Sequence, residues 1–427
     1  MAPPARRPPS GGAVSERSLH GGDLSVLRRL NSAATLRELR DGGESTLSGL
    51  ARRVGLSRPT TEGVLGDLIG RGLVAEVAPR PGGGLGRPAR RYRFRAEAGH
   101  ALGVEIDAHH VRLLVTDLSG EIAGGRRVDL DTYARPDVRI AAVRAAVKAC
   151  LAEAGIDRRS LRAVAVGTPG VVGPDGTVTR CAAVPGWEGV ELGRELGRSF
   201  ACPVLVENDA NLAAMAERWC GAARAADDVV CVLAGLHTGA GALIGGRLHR
   251  GRWGAAGEIG MLPELGLRNT TAVLITGAEP GPAAAGAALA GLASAGPALE
   301  DAGRVLAAAG RADPAALEAV ERLAVRMSRG VAAMALALDP EMIVVGGPLA
   351  GAGAPLVDAL RRHVLPLCLS PVRIEASRLG DEAIGLGAVR LALDRIDEDL
   401  FRVDREPKAA GPPGVAEPPG ATAPGAR

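Results

Sequence analysis

One pattern limits the fold of this chain more than any other, and it comes twice. From about residue 100 three alternating apolar runs, A-L-G-V-E-I-D, V-R-L-L-V-T-D-L and E-I-A-G-G-R-R-V-D-L, precede a helical stretch at about 136–154. The strands A-V-A-V-G (163–167) and V-L-V-E (204–207) and a helix at 210–219 follow. Then V-V-C-V-L-A (229–234) and G-A-L-I-G-G-R-L (241–248) read as a hairpin, and helices fill roughly 281–338. The strand E-M-I-V-V-G-G (341–347), a helix at 353–365, R-I-E-A-S and a final helix from about 383 close the series. Strands in a block, then strands alternating with helices, twice over, predict an α/β protein with two similar lobes. Aromatic residues are 2% of the chain, so its cores must be built from Leu, Val, Ile and Ala.

The segment ahead of this pattern differs in charge. Residues 1–100 hold 17 Arg, no Lys and 9 acidic residues, a net +8, whereas the remainder carries a net −5. A basic segment on an acidic body predicts a nucleic-acid module joined to something else. Its helical pieces are G-G-D-L-S-V-L-R-R-L-N-S-A-A-T-L-R-E-L-R, with a possible break near Asn31, then S-T-L-S-G-L-A-R-R-V, capped by Ser45 or Thr46. After the turn G-L-S, Ser57 caps a third helix with Pro59 in its first turn. Two helices on a three-residue turn fit a helix-turn-helix, and the strands L-V-A-E-V-A-P and R-R-Y-R-F-R fit a wing. The candidate DNA-facing residues are Ser57, Arg58, Thr60 and Thr61 at the start of the third helix, and Arg87, Arg90 and Arg91 at the wing. A helical protein-interaction domain with a solvated basic face is the alternative.

Residues 1–18 and 401–427 read as Pro/Gly-rich disordered tails, leaving a winged helix-turn-helix at 19–98 and a two-lobed body at 99–400. Six scattered cysteines without zinc spacing suit a reducing cytoplasm. The expectation is a cytoplasmic chain with no signal peptide and no membrane span.

At V-E-N-D-A-N (206–211) a strand ends and a helix begins, so Glu207, Asn208 and Asp209 stand where side chains meet a crevice. Asp209 is a base, a ligand-binding group or a helix cap on this reading. The block G-R-W-G-A-A-G-E-I-G, with V-E-N-D-A-N upstream and D-P-E-M-I-V-V-G-G downstream, resembles the ROK family of repressors, open reading frames and sugar kinases. The winged helix-turn-helix, with G-L-S-R-P-T-T-E and G-R-P-A, resembles that family's repressor branch. The resemblance implies an actin-like ATPase fold with a sugar cleft between its lobes. It implies that Asn208 binds sugar, that Asp209 accepts a proton from a sugar hydroxyl in the kinases, and that Glu258 holds sugar hydroxyls. Taken alone, Glu258 also reads as a surface acid in a Gly-rich loop.

The chain departs from the family's kinases in three places. The phosphate hairpin D-I-G-G-T-K is here E-I-D-A-H-H (105–110), so Asp107 and Ala108 replace two glycines and a carboxylate repels phosphate. The second phosphate loop, G-L-H-T-G-A-G-A-L (235–243), loses a glycine to His237 or Leu243. Met261 replaces the His of G-E-I-G-H and the segment after it, L-P-E-L-G-L-R-N-T-T, has no cysteine, so no zinc set remains. Ala183 also stands where the family has Asn before its G-W pair. The expected protein is a transcriptional regulator of sugar metabolism or transport with no catalytic residue, metal or cofactor. Its partners are operator DNA, a sugar or sugar-phosphate effector, and its own copies in a homodimer or homotetramer. The alternative is an ATP-dependent sugar kinase with a DNA-binding arm and Asp209 as its base.

Overall fold

The computed structural model describes residues 24–78, 89–235, 238–276 and 295–401. The tails at 1–18 and beyond 401, the wing tip with Arg87, and His237 lie outside the described residues. The chain divides into two units, one made of Met1–Phe94 with Leu400–Arg427 and one of Arg95–Asp399.

In the first unit α1 (Leu24–Gly42) is a single helix, unbroken at Asn31. Thr46 caps α2 (Leu47–Val54) by accepting the Gly49 N–H at 3.2 Å, and Ser57 caps α3 (Arg58–Gly70) by accepting the Thr60 N–H at 3.2 Å. Between them Gly55, at φ 73, ends α2 in the left-handed conformation that glycine tolerates best. Strands β1 (Ser45–Thr46), β2 (Val74–Val77) and β3 (Arg91–Phe94) pair antiparallel in the order β1-β3-β2. Leu36, Leu50, Leu65, Leu68 and Tyr92 are buried beneath them. Phe401, at the start of the expected tail, is instead helical and buried, its ring 4.5 Å from the Arg37 guanidinium.

The second unit holds two five-stranded sheets. The first contains β4 (His100–Ile106), β5 (His110–Asp117), β6 (Ile122–Asp129) and β7 (Leu161–Thr168). A small hairpin, β8 (Val171–Val172) with β9 (Val178–Arg180), precedes its last strand, β10 (Val204–Asn208). The second sheet contains β11 (Val229–Leu233), β12 (Gly239–Ile244), β13 (Arg247–Leu248), β14 (Met342–Gly346) and β15 (Arg373–Ala376). The orders are β6-β5-β4-β7-β10 and β13-β12-β11-β14-β15. In each, the first three strands are antiparallel and the last two are parallel to the first, so the lobes share one topology. Helices α4 (Pro136–Glu153), α5 (Leu192–Gly197) and α6 (Asp209–Cys220) belong to the first half of the unit. The second half carries α7 (Thr270–Thr276), α8 (Ala295–Gly310), α9 (Pro314–Leu338), α10 (Ala354–Val364) and α11 (Ala383–Phe401).

The last strand of each sheet sends its helix to the other sheet. Helix α6 leaves β10 and packs on β12, so closely that a Cβ on Gly241 would stand 2.4 Å from Ala210 O. Helix α11 follows β15 and packs on the first sheet, where a Cβ on Gly103 would stand 2.7 Å from Gly385 O. The two helices cross where a Cβ on Gly387 would lie 1.9 Å from Leu212 O. Gly387→Ala should therefore destabilise the chain by about 3 kcal/mol or more, read by urea denaturation. Gly303→Ala, on α8 with nothing within 4 Å of the added carbon, should instead stabilise by about 0.5–1 kcal/mol.

Candidate functional site

The junction of β10 and α6 is built around two side chains. Asn208, not Asp209, caps α6: its Oδ1 accepts the Asn211 N–H at 3.1 Å. Its amide donates to Gly170 O at 3.0 Å and to Asp209 Oδ1 at 2.9 Å, so both amide hydrogens are engaged. Asp209 is the first helical residue, half-buried, and Oδ1 also accepts the Ala210 N–H at 2.8 Å. Asn208 therefore fixes the rotamer of the carboxylate next to it.

Burial raises Asp209 to a pKa of about 7, opposed by the Ala210 N–H and reinforced by the charges of Asp107, Glu258 and Glu105. Asp107, from the β4–β5 turn, and Glu258, from the loop after β13, thus act electrically on Asp209. Glu258 is half-buried, and burial pushes its own carboxyl up. Segments distant in sequence thus add negative charge to the surroundings of Asp209.

The β4–β5 turn is held by its own chain. Arg139, fully buried on α4, donates to the carbonyls of Asp107 (2.7 Å), Ala108 (3.0 Å), Asp131 (3.3 Å) and Thr132 (3.1 Å). Asp107 Oδ1 accepts the Ala108 N–H. His110, the first residue of β5, is buried with Nε2 3.3 Å from Glu105 Oε1 and Nδ1 3.6 Å from Asp107 Oδ2. His109 is a turn residue bonded to Thr132 Oγ1 at 2.8 Å. The residues present do not suit a nucleotide phosphate: a carboxylate occupies the turn, and Arg139 is committed to carbonyls behind it.

Zinc is not suited either. The G-E-I-G-M-L-P-E-L segment forms two short turns, Ile259–Met261 and Pro263–Leu265, with Met261 and Leu262 exposed where nitrogen or sulfur donors would be needed. Among the described residues no group of three or more His, Cys, Asp or Glu is placed to hold a metal ion. No helix among them is long and apolar enough to cross a membrane. Trp187 of the P-G-W segment is fully buried and donates to Thr168 Oγ1 at 2.8 Å, which makes it an anchor for its loop.

In the first unit Ser57, Arg58 and Thr60 are exposed at the start of α3. Thr61 is corrected: it is fully buried and its hydroxyl donates to Ser57 O at 2.9 Å, so it cannot reach a base edge. It shares one helix face with Val64, Leu65 and Leu68, all buried. Arg90 is exposed and lies 3.4 Å from Glu76, and Arg91 is ion-paired with Glu44. The sequence reading placed Glu207 at the strand end but gave it no role, and it passed over exposed Arg52 on α2, Arg250 and Arg139. Only the abundance of Arg hinted at them.

The pKa of Asp209 carries a sign. The folded chain takes up this proton near pH 7, the unfolded chain near 3.8, so folding gains stability as pH falls through this window. Asp209→Asn removes the ionised form. It should raise stability at pH 8 by about 1–2 kcal/mol, discounted for hydration of the site, with the gain vanishing near pH 4. Urea denaturation at both pH values checks this; a gain that does not vary with pH would contradict it.

The ROK family model matches residues 101–395. The chain is 22% identical over 391 residues to the xylose repressor of Caldicellulosiruptor bescii, covering 87% of this chain and 97% of that protein. It is 30% identical over 255 residues to the glucokinase of Halalkalibacterium halodurans, covering 54% and 76%. A solved ROK family transcriptional regulator, a homologue of the E. coli MLC protein, aligns at TM-score 0.66 and 20% identity over 88% of this chain and 99% of its own. A ROK family glucokinase from Streptomyces griseus, in complex with glucose and AMPPNP, aligns at TM-score 0.57 and 27% identity over 69% and 100%. The regulator matches more of this chain than its second unit alone supplies.

Proposed function

The chain belongs to the ROK family, and from that premise we propose that it is a sugar-responsive transcriptional repressor whose body binds sugar without phosphorylating it. The observation that carries this reading is the β4–β5 turn, where Asp107 replaces a phosphate-cradling glycine and acts electrically on Asp209. The repressor relatives aligned along nearly their whole length support it. In this reading Asp209 and Glu258 hold sugar hydroxyls, Asn208 sets the Asp209 rotamer, and the half-protonated Asp209 both donates and accepts. The carboxylates of Asp107, Asp209 and Glu258 favour an unphosphorylated sugar over a sugar phosphate. Exposed Ser57, Arg58 and Thr60 meet operator DNA, with Arg87 and Arg90 of the wing on the minor groove or phosphates. Two-fold pairing of the chain suits a palindromic operator.

Phosphoryl transfer has one observation in its favour: a carboxylate with a pKa of about 7 is poised to accept a hydroxyl proton. The Asp107 carboxylate in the β4–β5 turn, which repels a transferred phosphate, weighs against it. A panel of monosaccharides and their phosphate esters separates the two. At least one free sugar should raise the melting temperature and its phosphate ester should not. Asp209→Ala should abolish the shift, and ATP turnover should stay at background with every sugar. Turnover that disappears in Asp209→Ala would establish the kinase. For the arm, Arg58→Ala should weaken binding to DNA sites selected with the intact chain by about tenfold, roughly 1–3 kcal/mol, measured by anisotropy; unchanged affinity would remove Arg58 from the interface.

A further inference from the structure

The loop that carries Glu258 starts on the second sheet but is tied to the first. Arg250, just after β13, donates through Nε to Glu207 Oε2. Glu207 is the penultimate residue of β10 and is only 4% exposed. Its other oxygen, Oε1, accepts the Asn208 N–H at 2.9 Å and the Asn211 side-chain amide at 2.9 Å. One carboxylate thus serves the Asn208–Asp209 edge with one oxygen and the Glu258 loop with the other.

Two glycines fasten the same loop to both lobes. Gly254, at φ 80, lies so close to β8 that a Cβ would stand 1.9 Å from Val172 O. Gly257, at φ 91 and directly before Glu258, would place a Cβ 1.8 Å from Ala240 O of β12. The loop has backbone seats on each lobe and a single ion pair holding its start to the strand–helix junction. Removing Arg250 would leave the buried Glu207 carboxylate uncompensated, and that strain falls on the groups its other oxygen holds.

We infer that Glu207 and Arg250 form a positioning clasp that sets the Glu258 loop against the Asn208–Asp209 edge, so that what one side binds is felt by the other. The inference rests on the sugar reading of that site only for its ligand. The coupling itself is carried by the chain's own contacts.

Amide hydrogen exchange on the full-length, ligand-free chain tests the clasp. Arg250→Met should speed exchange by about tenfold or more in both 204–212 and 250–262. Arg250→Lys, which keeps the charge but not the guanidinium geometry, should give a smaller rise in the same two segments, and it decides the matter if Arg250→Met does not fold. A rise confined to 250–262, or in neither segment, overturns the clasp. Calorimetric titration with D-glucose and D-xylose keeps the two claims apart. If the wild type binds either sugar, Arg250→Met should bind it about tenfold more weakly, and equal affinity overturns the clasp. Coupled exchange in a chain that binds neither sugar supports the clasp and counts against these sugars as ligands.

Discussion

The crossing of α6 and α11 at Leu212 and Gly387 is the contact on which the two-lobed body depends. Each helix starts from the edge of one sheet and packs on the other, and at their crossing no side chain fits. The crossing holds α6 against α11, while the Asn208 cap sets where α6 begins and so places Asp209 in its first turn. A chain with 2% aromatic residues cannot wedge its layers together with rings. It relies on close backbone approach at Gly103, Gly241 and Gly387, where many short dispersion contacts replace a few large ones.

The chemistry of the cleft follows from which charges are free to face a ligand. Arg139 is spent on four carbonyls, Arg250 on Glu207, and His110 lies between Glu105 and Asp107. The charges of Asp107 and Glu258 act on Asp209, and burial already raises Asp209 and Glu258. These carboxylates repel a phosphate. Hydroxyl groups, which donate to carboxylates and bring no charge, are the better match.

Much of this was legible in the sequence because it is local. Thr46 and Ser57 cap their helices as their positions before apolar runs implied, and the repeated strand pattern gave both sheets. The cap at the β10–α6 junction fell to Asn208, one residue earlier than the role weighed for Asp209. Thr61 was misplaced although the spacing of Val64, Leu65 and Leu68 put it on their face; turn chemistry outweighed helical phase in that reading. Helix α7 went unseen because T-T-A-V-L-I-T is rich in β-branched residues, which carry little helical signal. The Glu207–Arg250 pair joins residues 43 apart in sequence, and the left-handed φ of Gly254 and Gly257 appears only once the lobes are in place. No local rule reaches such contacts.

The central claim joins the two units by function: a body that binds sugar and an arm that binds DNA. It is tested most directly by titrating a sugar that raises the melting temperature into the full-length chain bound to its selected DNA site, without ATP, and following anisotropy. The account predicts that DNA affinity falls as the sugar saturates and that Asp209→Ala makes the complex indifferent to it. DNA affinity that does not change at saturating sugar, or changes only when ATP is added, would contradict it.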